Sequence, residues 1–290
     1  MSTIKSSAEN LTLNADGANN DVIIQSNAST KVTVDGALGN VGIAVAPEAW
    51  NSSYKALQLS STNSALYATT RRTGLAEGAL KNAAGNWQFQ GSGDKAGLYE
   101  IDDSTSTHKL SVSNGTGSTG GTITFLTGFE VLNDGKARAP NGLLFGTDTA
   151  AANALDDYEE GTWTPTLTEG TNTNASYDNR SGNYVKIGRT VFVEARINIT
   201  SLGSISGNLR LAGLPFNVSN TVGSRATMNS GWAVGLDITA GQNISGYANG
   251  TTDYFWLTLW ANAAGTSNLT HSTLSADGGF MMSATYTTDS

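Results

Sequence analysis

The chain has 290 residues, a net charge of −8 and no cysteine, which excludes disulfides and thiolate metal sites. The acidic balance argues against a nucleic-acid surface, because phosphate binding needs clustered Lys and Arg. With 34 glycines, 4 prolines and only 14% charged residues, the composition predicts an all-β fold of many short strands joined by turns.

The N-terminus has no apolar segment of the kind that marks a secretory signal. No apolar run approaches the ~20 residues of a membrane helix. We therefore expect synthesis in the cytoplasm and no membrane insertion.

Residues 1–45 contain a loose repeat that consists of a short strand, an Asp-Gly turn, a polar spacer and a second short strand. A third copy lies far downstream. The Asp-Gly pairs of the three copies are Asp16-Gly17, Asp35-Gly36 and Asp134-Gly135. Glycine suits these turns because it accepts positive φ. Such a unit has one thin apolar stripe and does not bury it alone. Two arrangements solve this: three chains intertwined about one axis, or a pair of ordinary hairpins within a globular domain.

Residues 48–135 follow Pro47 and are predicted to form a small β-rich middle domain. Residues 75–84 have helix propensity, but Gly78 and the turn residues 82–86 favour a hairpin with Trp87 to Phe89. A short helix is the alternative. The other strands predicted here are 56–59, 65–68, 108–112 and 122–126.

Residues 136–162 are predicted to be a connector, with one or two helical turns at 150–158. They carry the densest acidic patch of the sequence, and we expect these side chains to point into solvent: Asp156, Asp157, Glu159 and Glu160. Residues 163–290 alternate regularly and predict a C-terminal β-sandwich or jelly-roll-like tip. Its predicted strands are 184–187, 190–199, 208–211, 228–234, 254–260 and 280–286.

Three stretches resemble the fibre proteins of tailed bacteriophages, especially the marine and environmental type. The first is residues 1–17. The second begins with Gly39-Asn40-Val41-Gly42-Ile43 and continues through 50–59, although Ala44-Val45 stands where family members often have Gly-Thr. The third is residues 155–167, followed by 184–189 and 213–216.

This resemblance implies a homotrimeric tail fibre of the virion, with an intertwined N-terminal stalk. Residues 1–47 would attach to another virion protein, and the C-terminal tip would bind a host cell-surface glycan or protein during adsorption. One alternative is a capsid fibre or decoration protein. A less favoured one is a polysaccharide-cleaving tailspike, whose usual mark is a long regular β-helix.

No catalytic residues, cofactor or metal site is predicted. The acidic patch is contiguous, whereas a glycosidase needs two carboxylates that flank a bond across a cleft. His108 and His271 lack a second ligand at metal spacing, and no nucleophile-elbow or phosphate-binding pattern is present. We therefore predict that the protein is not an enzyme.

Aromatic residues gather in the last 60 positions and are the candidate ligand-binding residues. Period two in residues 254–260 places Tyr254, Trp256, Thr258 and Trp260 on one face and the residues between them in the core. Trp and Tyr suit either packing, against the core or a sister chain, or stacking on a glycan. The candidates for glycan contact are Trp232, Tyr247, Tyr254, Trp256 and Trp260.

Overall fold

The computed structural model describes residues 20–26, 28–59, 64–221, 225–261 and 265–289. These residues form 22 strands and two short 3-10 helices, so the all-β prediction is confirmed. Contacts divide the chain into two compact units, with the boundary between Leu143 and Leu144.

The N-terminal unit is built on one ten-stranded sheet, in the order β1-β2-β3-β4-β5-β6-β9-β10-β11-β12, and a separate hairpin, β7-β8. The strands are β1 (Val22–Ser26), β2 (Ser29–Val34), β3 (Val41–Ile43), β4 (Lys55–Gln58), β5 (Ser64–Ala68), β6 (Arg72–Glu77), β7 (Ala79–Lys81), β8 (Trp87–Phe89), β9 (Gly97–Asp102), β10 (Thr107–Ser113), β11 (Phe125–Val131) and β12 (Ala137–Arg138). The hairpin predicted for residues 75–89 is confirmed.

The sequence-based division at Pro47 differs from the structure, because β3 pairs in parallel with β4 and joins both predicted regions in one sheet. The second repeat copy forms the expected hairpin, in which Asp35 accepts backbone hydrogen bonds from Ala37 and Leu38. In the third copy, the second strand is Ala137–Arg138 rather than residues 141–145. The first strand and Asp-Gly turn of the first copy lie outside the described residues.

One face of this sheet carries a set of paired charged side chains whose carboxylates are buried. Arg72 contacts Glu100 at 3.4 Å and Asp102 at 2.9 Å, while Glu130 pairs with Lys109 and Arg138. Glu100 is 7% exposed and Glu130 only 4%. Because buried carboxylates are stable only when paired, this alternating ladder of charges keeps the face satisfied. We call it the charged face.

An aromatic cluster of Trp50, Tyr54, Tyr67 and Trp87 covers one end of the charged face. The Tyr67 hydroxyl reaches across the sheet and donates a 2.8 Å hydrogen bond to Glu100. Burial, and then the Glu100 carboxylate, raise the pKa of Tyr67 far above its usual value, so the phenol remains a donor.

Gly74 makes this reach possible. It lies directly between Tyr67 and Glu100 in the ladder, and a Cβ at this position would overlap the Tyr67 hydroxyl. A side chain here would therefore displace the ring that satisfies Glu100.

We predict that Gly74→Ala lowers the free energy of unfolding by about 1–3 kcal/mol, because it breaks the hydrogen bond to a buried carboxylate and overpacks the site. Urea denaturation measures this change. Gly97→Ala is the control, since its Cβ would have no neighbour within 4 Å. Equal stability of the two variants would contradict the role given to Gly74.

The C-terminal unit is one antiparallel sheet in the order β13-β15-β16-β22-β18-β19-β20-β17-β14, with β21 paired to β20. The strands are β13 (Tyr158–Trp163), β14 (Thr166–Thr168), β15 (Ser176–Ile187), β16 (Thr190–Ser201), β17 (Arg210–Ala212), β18 (Ala226–Leu236), β19 (Asn243–Ala248), β20 (Tyr254–Ala261), β21 (Gly265–Asn268) and β22 (Leu274–Thr287).

This sheet curls around a single core. Its two end strands, β13 and β14, are separated by only Thr164 and Pro165, and both send side chains into the same cluster. The core is thus enclosed as in a sandwich, but by one continuous ladder. Trp163 closes one edge: it is buried and donates from Nε1 to the carbonyl oxygens of Asn183 at 3.3 Å and Glu194 at 3.2 Å.

The predicted connector, 136–162, is shorter in the structure. The first part of the predicted connector contains β12, and β13 begins at Tyr158, within the acidic patch. The helical turn is a 3-10 helix at Ala151–Asn153. The patch becomes strand because Glu159 and Glu160 pair in register with Lys186 and Val185 of β15.

Three of the four patch carboxylates are exposed, as expected, but Asp157 is half-buried. It forms an ion pair with Lys186, which is only 3% exposed and lies over the Phe216 ring. Asp157 therefore compensates a buried charge.

We predict that Asp157→Asn lowers the free energy of unfolding by about 1–3 kcal/mol, because it leaves the Lys186 ammonium buried without a counter-charge. Asp156→Asn removes the same charge from an exposed neighbour and should change stability by less than about 0.5 kcal/mol. Thermal denaturation of the two variants side by side tests this, and equal midpoints would refute it.

Candidate functional site

The N-terminal sheet carries its large apolar side chains on the face opposite the charged one. Strand register places one residue from each of nine strands in a continuous row. The row is Val22, Val34, Val41, Leu57, Leu66, Leu75, Tyr99, Leu110 and Phe129. Further apolar residues flank it on the same side: Ile24, Val32, Ile43, Ile101, Val112, Leu126 and Val131. We call this surface the apolar face.

The apolar face is open to solvent in the single chain. Leu75 is 55% exposed and Leu110 is 51% exposed, and they border a shallow depression of about 580 Å³. Nine strands at ~4.8 Å and five residues at ~3.3 Å give a face of about 700 Å². This approaches the ~800 Å² that each partner buries in a standard protein interface. The sheet thus exposes its apolar side while it buries the carboxylates of the opposite side, and such an exposed apolar surface marks an interaction surface.

The five aromatic candidates lie in the C-terminal unit. In β20 the predicted alternation is confirmed: Phe255, Leu257 and Leu259 are core residues, while Tyr254, Trp256 and Trp260 face outward. Thr258 lies on the outward side, but it is buried and its hydroxyl is hydrogen-bonded to Ser245 at 2.9 Å. Tyr247 stands beside Trp256 in the neighbouring strand.

The Arg210 guanidinium stacks on the rings of two of the candidates. Its guanidinium lies 4.0 Å from the Trp256 ring centroid and 4.7 Å from that of Tyr254. A cation at this distance takes the ring face that a sugar would need. These two rings therefore serve to pack Arg210.

Trp232 has a different setting. It is 40% exposed, pairs with Met281 of β22, and has the Arg196 guanidinium 5.6 Å from its ring centroid. The longer separation leaves indole surface for a ligand. Trp260, paired with Asn243 and Thr266, is exposed at another place on the sheet. The structure thus does not bring the five aromatics into one site.

A row of polar side chains crosses the outer side of the C-terminal sheet on six neighbouring strands. Register aligns them in the order Asn183, Glu194, Ser283, Asn229, Ser245 and Thr258. At its β15 end the row meets a cavity of about 250 Å³, lined by Ser181, Asn183, Glu194, Ala195, Arg196, Met281 and Met282.

The polar groups of this cavity are only partly engaged. Asn183 Nδ2 donates to Glu194 Oε1 at 3.1 Å, and Arg196 Nε donates to Asn198 at 2.9 Å. In the part of the chain that the structure describes, neither Glu194 nor Arg196 has an ion-pair partner. The cavity therefore offers an acceptor and a donor side by side.

Sequence reasoning did not select the residues of this cavity. The alternation of β16 indicates that Glu194 and Arg196 face outward. Their neighbours come from β15 and from β22, which is almost 90 residues further along the chain. Only the strand order brings Asn183 and Met281 to either side of them.

The two histidines have structural contacts. His108 Nδ1 lies 3.0 Å from the Tyr99 hydroxyl, and His271 Nδ1 accepts a hydrogen bond from the backbone N–H of Gly207. A search of the described residues finds no group of three acidic or histidine side chains suited to holding a metal ion. Within the same residues, no helix has the length and apolarity needed to cross a membrane.

No protein-family model matches the chain, and no curated protein matches it either. Among solved structures, the crystal structure of the Dettilon tailspike protein is similar, with a TM-score of 0.40 and 16% sequence identity. The similarity covers 45% of this chain and 24% of the tailspike chain, so this chain spans about a quarter of the tailspike. A TM-score this low supports no conclusion about fold or activity.

Proposed function

We propose that this chain is a non-enzymatic structural protein of a phage virion, a homotrimeric tail fibre that mediates recognition of the host surface. In this proposal the N-terminal unit forms the assembled shaft and the C-terminal unit carries the host-binding surface. The N-terminal segment, within residues 1–47, would hold the fibre to another virion protein.

The observation that carries the proposal is the polarity of the N-terminal sheet. A sheet with one face in water normally buries its apolar side and exposes its charged side. Here the carboxylates of the charged face are buried and paired with Arg72, Lys109 and Arg138, while the apolar face has no ionised group in its central row. Three copies that meet through this central row would remove it from water, with Lys55 and Glu77 at its margins.

The resemblance of residues 1–17, 39–59 and 155–167 to tailed-phage fibres supports a virion protein, and among virion proteins a tail fibre. Zero cysteine agrees with stabilisation by assembly, since the chain has no disulfide to reinforce a small unit. A fibre of three identical chains presents three identical sites, and several weak contacts then add to strong adsorption through avidity.

We predict that the native protein has three times the mass of one chain, and that Leu75→Glu or Leu110→Glu reduces it to a single chain. Both side chains are exposed in the single chain, so the charge costs little there. In the assembly it would be buried without a partner, at a cost of several kcal/mol. Size-exclusion chromatography with light scattering measures the mass.

Ile23→Glu is the matched control. Ile23 is 53% exposed, like Leu75, but it pairs with Thr33 on the other side of the sheet. It should leave the trimer intact. A wild-type protein with the mass of one chain would refute the proposed assembly.

We also predict that the purified protein releases no reducing ends from host surface polysaccharide. The reason is that the cavity beside Glu194 and Arg196 offers groups for binding and no pair of carboxylates across a cleft. A reducing-sugar assay over hours, with a known glycosidase as positive control, tests this. Sustained release would identify the protein as a tailspike enzyme instead.

A further inference from the structure

We propose that the cavity between Asn183, Glu194, Arg196 and Met281 is a saccharide-binding site that takes one pyranose ring through its vicinal hydroxyls. The inference rests on the proposed function, because it names the ligand class of the host-binding unit. It places the glycan contact on residues other than the five aromatic candidates, apart from Trp232, which lies beside the cavity.

The volume of the cavity fits a single sugar ring. About 250 Å³ is the space of about eight water molecules at ~30 Å³ each, and it is smaller than the ~300–1,000 Å³ pockets of drug-sized ligands. A site of this size recognises one residue of a longer chain and leaves the rest of that chain outside.

The polar groups match the chemistry of a sugar hydroxyl, which both donates and accepts. The Glu194 carboxylate is an acceptor, and the Arg196 guanidinium is a donor. The two residues are two positions apart on the outer side of β16, so their Cα atoms are about 7 Å apart along the strand. Adjacent ring hydroxyls can therefore donate to one residue and accept from the other.

The remaining walls serve orientation and stacking. Asn183 already donates to Glu194 Oε1, which fixes the carboxylate and leaves Oε2 for a ligand. Met281 and Trp232 stand side by side next to Arg196 and supply the apolar surface on which the C–H side of a pyranose packs. Charged, amide and apolar groups thus converge on one small cavity.

The polar row gives the site a direction. From Glu194 it continues through Ser283 and Asn229 to Ser245, with one short hydrogen-bonding side chain per strand. At ~4.8 Å per strand these groups follow the spacing of a sheet, and an extended oligosaccharide can lie along them. The ligand class is therefore a neutral glycan chain anchored by one ring in the cavity.

The test uses the full chain and saturation-transfer difference NMR with methyl glucoside, methyl galactoside, methyl mannoside and N-acetylglucosamine as probes. We expect signal transfer to at least one neutral pyranose. Glu194→Gln and Arg196→Ala should each weaken that binding about ten-fold, since each removes hydrogen bonds to a charged group. Trp232→Ala should weaken it as well.

Trp260→Ala is the control, because this indole is also exposed to solvent but lies away from the cavity. Its binding should match the wild type. Absence of signal from all four probes, or unchanged binding in Glu194→Gln and Arg196→Ala, would overturn the site. Binding of acetate and glucuronate alone, dependent only on Arg196, would show an anion site and also overturn it.

The mass of each sample, measured by light scattering, separates this inference from the proposed function. A trimer that binds no probe rejects the saccharide site and leaves the fibre proposal standing. A single-chain protein that binds through Glu194 and Arg196 rejects the fibre proposal and leaves the saccharide site standing.

Discussion

The ladder from Tyr67 through Glu100, Lys109 and Glu130 to Arg138 determines how the N-terminal sheet is used. Tyr67 satisfies Glu100, and Lys109 and Arg138 pair with Glu130, so both carboxylates tolerate burial on one face of the sheet. Because side chains alternate along a strand, satisfying the charged residues on this face commits the large apolar residues to the other. The exposed row from Val22 to Phe129 is therefore a consequence of the charged face, and a single chain in water leaves it uncovered.

The C-terminal unit solves the same problem within one chain. Its sheet curls until the strands at its two ends, β13 and β14, are separated by only two residues of the chain. The apolar side of the sheet then encloses its own core. Its outer side then carries a row of serine, asparagine and threonine in aligned positions. The contrast gives the two units different tasks in the proposed fibre: one provides a face for assembly, and the other provides a hydrogen-bonding surface for a ligand.

Much of the fold follows from local patterns. Thr190 to Ile199 and Tyr254 to Trp260 alternate so regularly that strand and inward face are evident, and Gly78 with the following turn residues indicates a hairpin. Alternation does not reveal which face is covered, because Leu75 and Ala76 fit a core equally well by pattern. It also does not reveal that β22 lies between β16 and β18, which assembles the cavity beside Arg196. Partners distant in sequence decide both which face is covered and which strands are neighbours.

The proposed assembly requires that copies of this chain cover the apolar face. The chain has no cysteine, so a single Leu75→Cys introduces one thiol on that face, and Ile23→Cys one on the other side. Alkylation by a water-soluble maleimide measures how accessible each thiol is in the native protein. We expect slow reaction at Leu75→Cys, fast reaction at Ile23→Cys, and equal rates after denaturation. Equally fast reaction of both thiols in the native protein would show that the apolar face is uncovered and would contradict the proposed assembly.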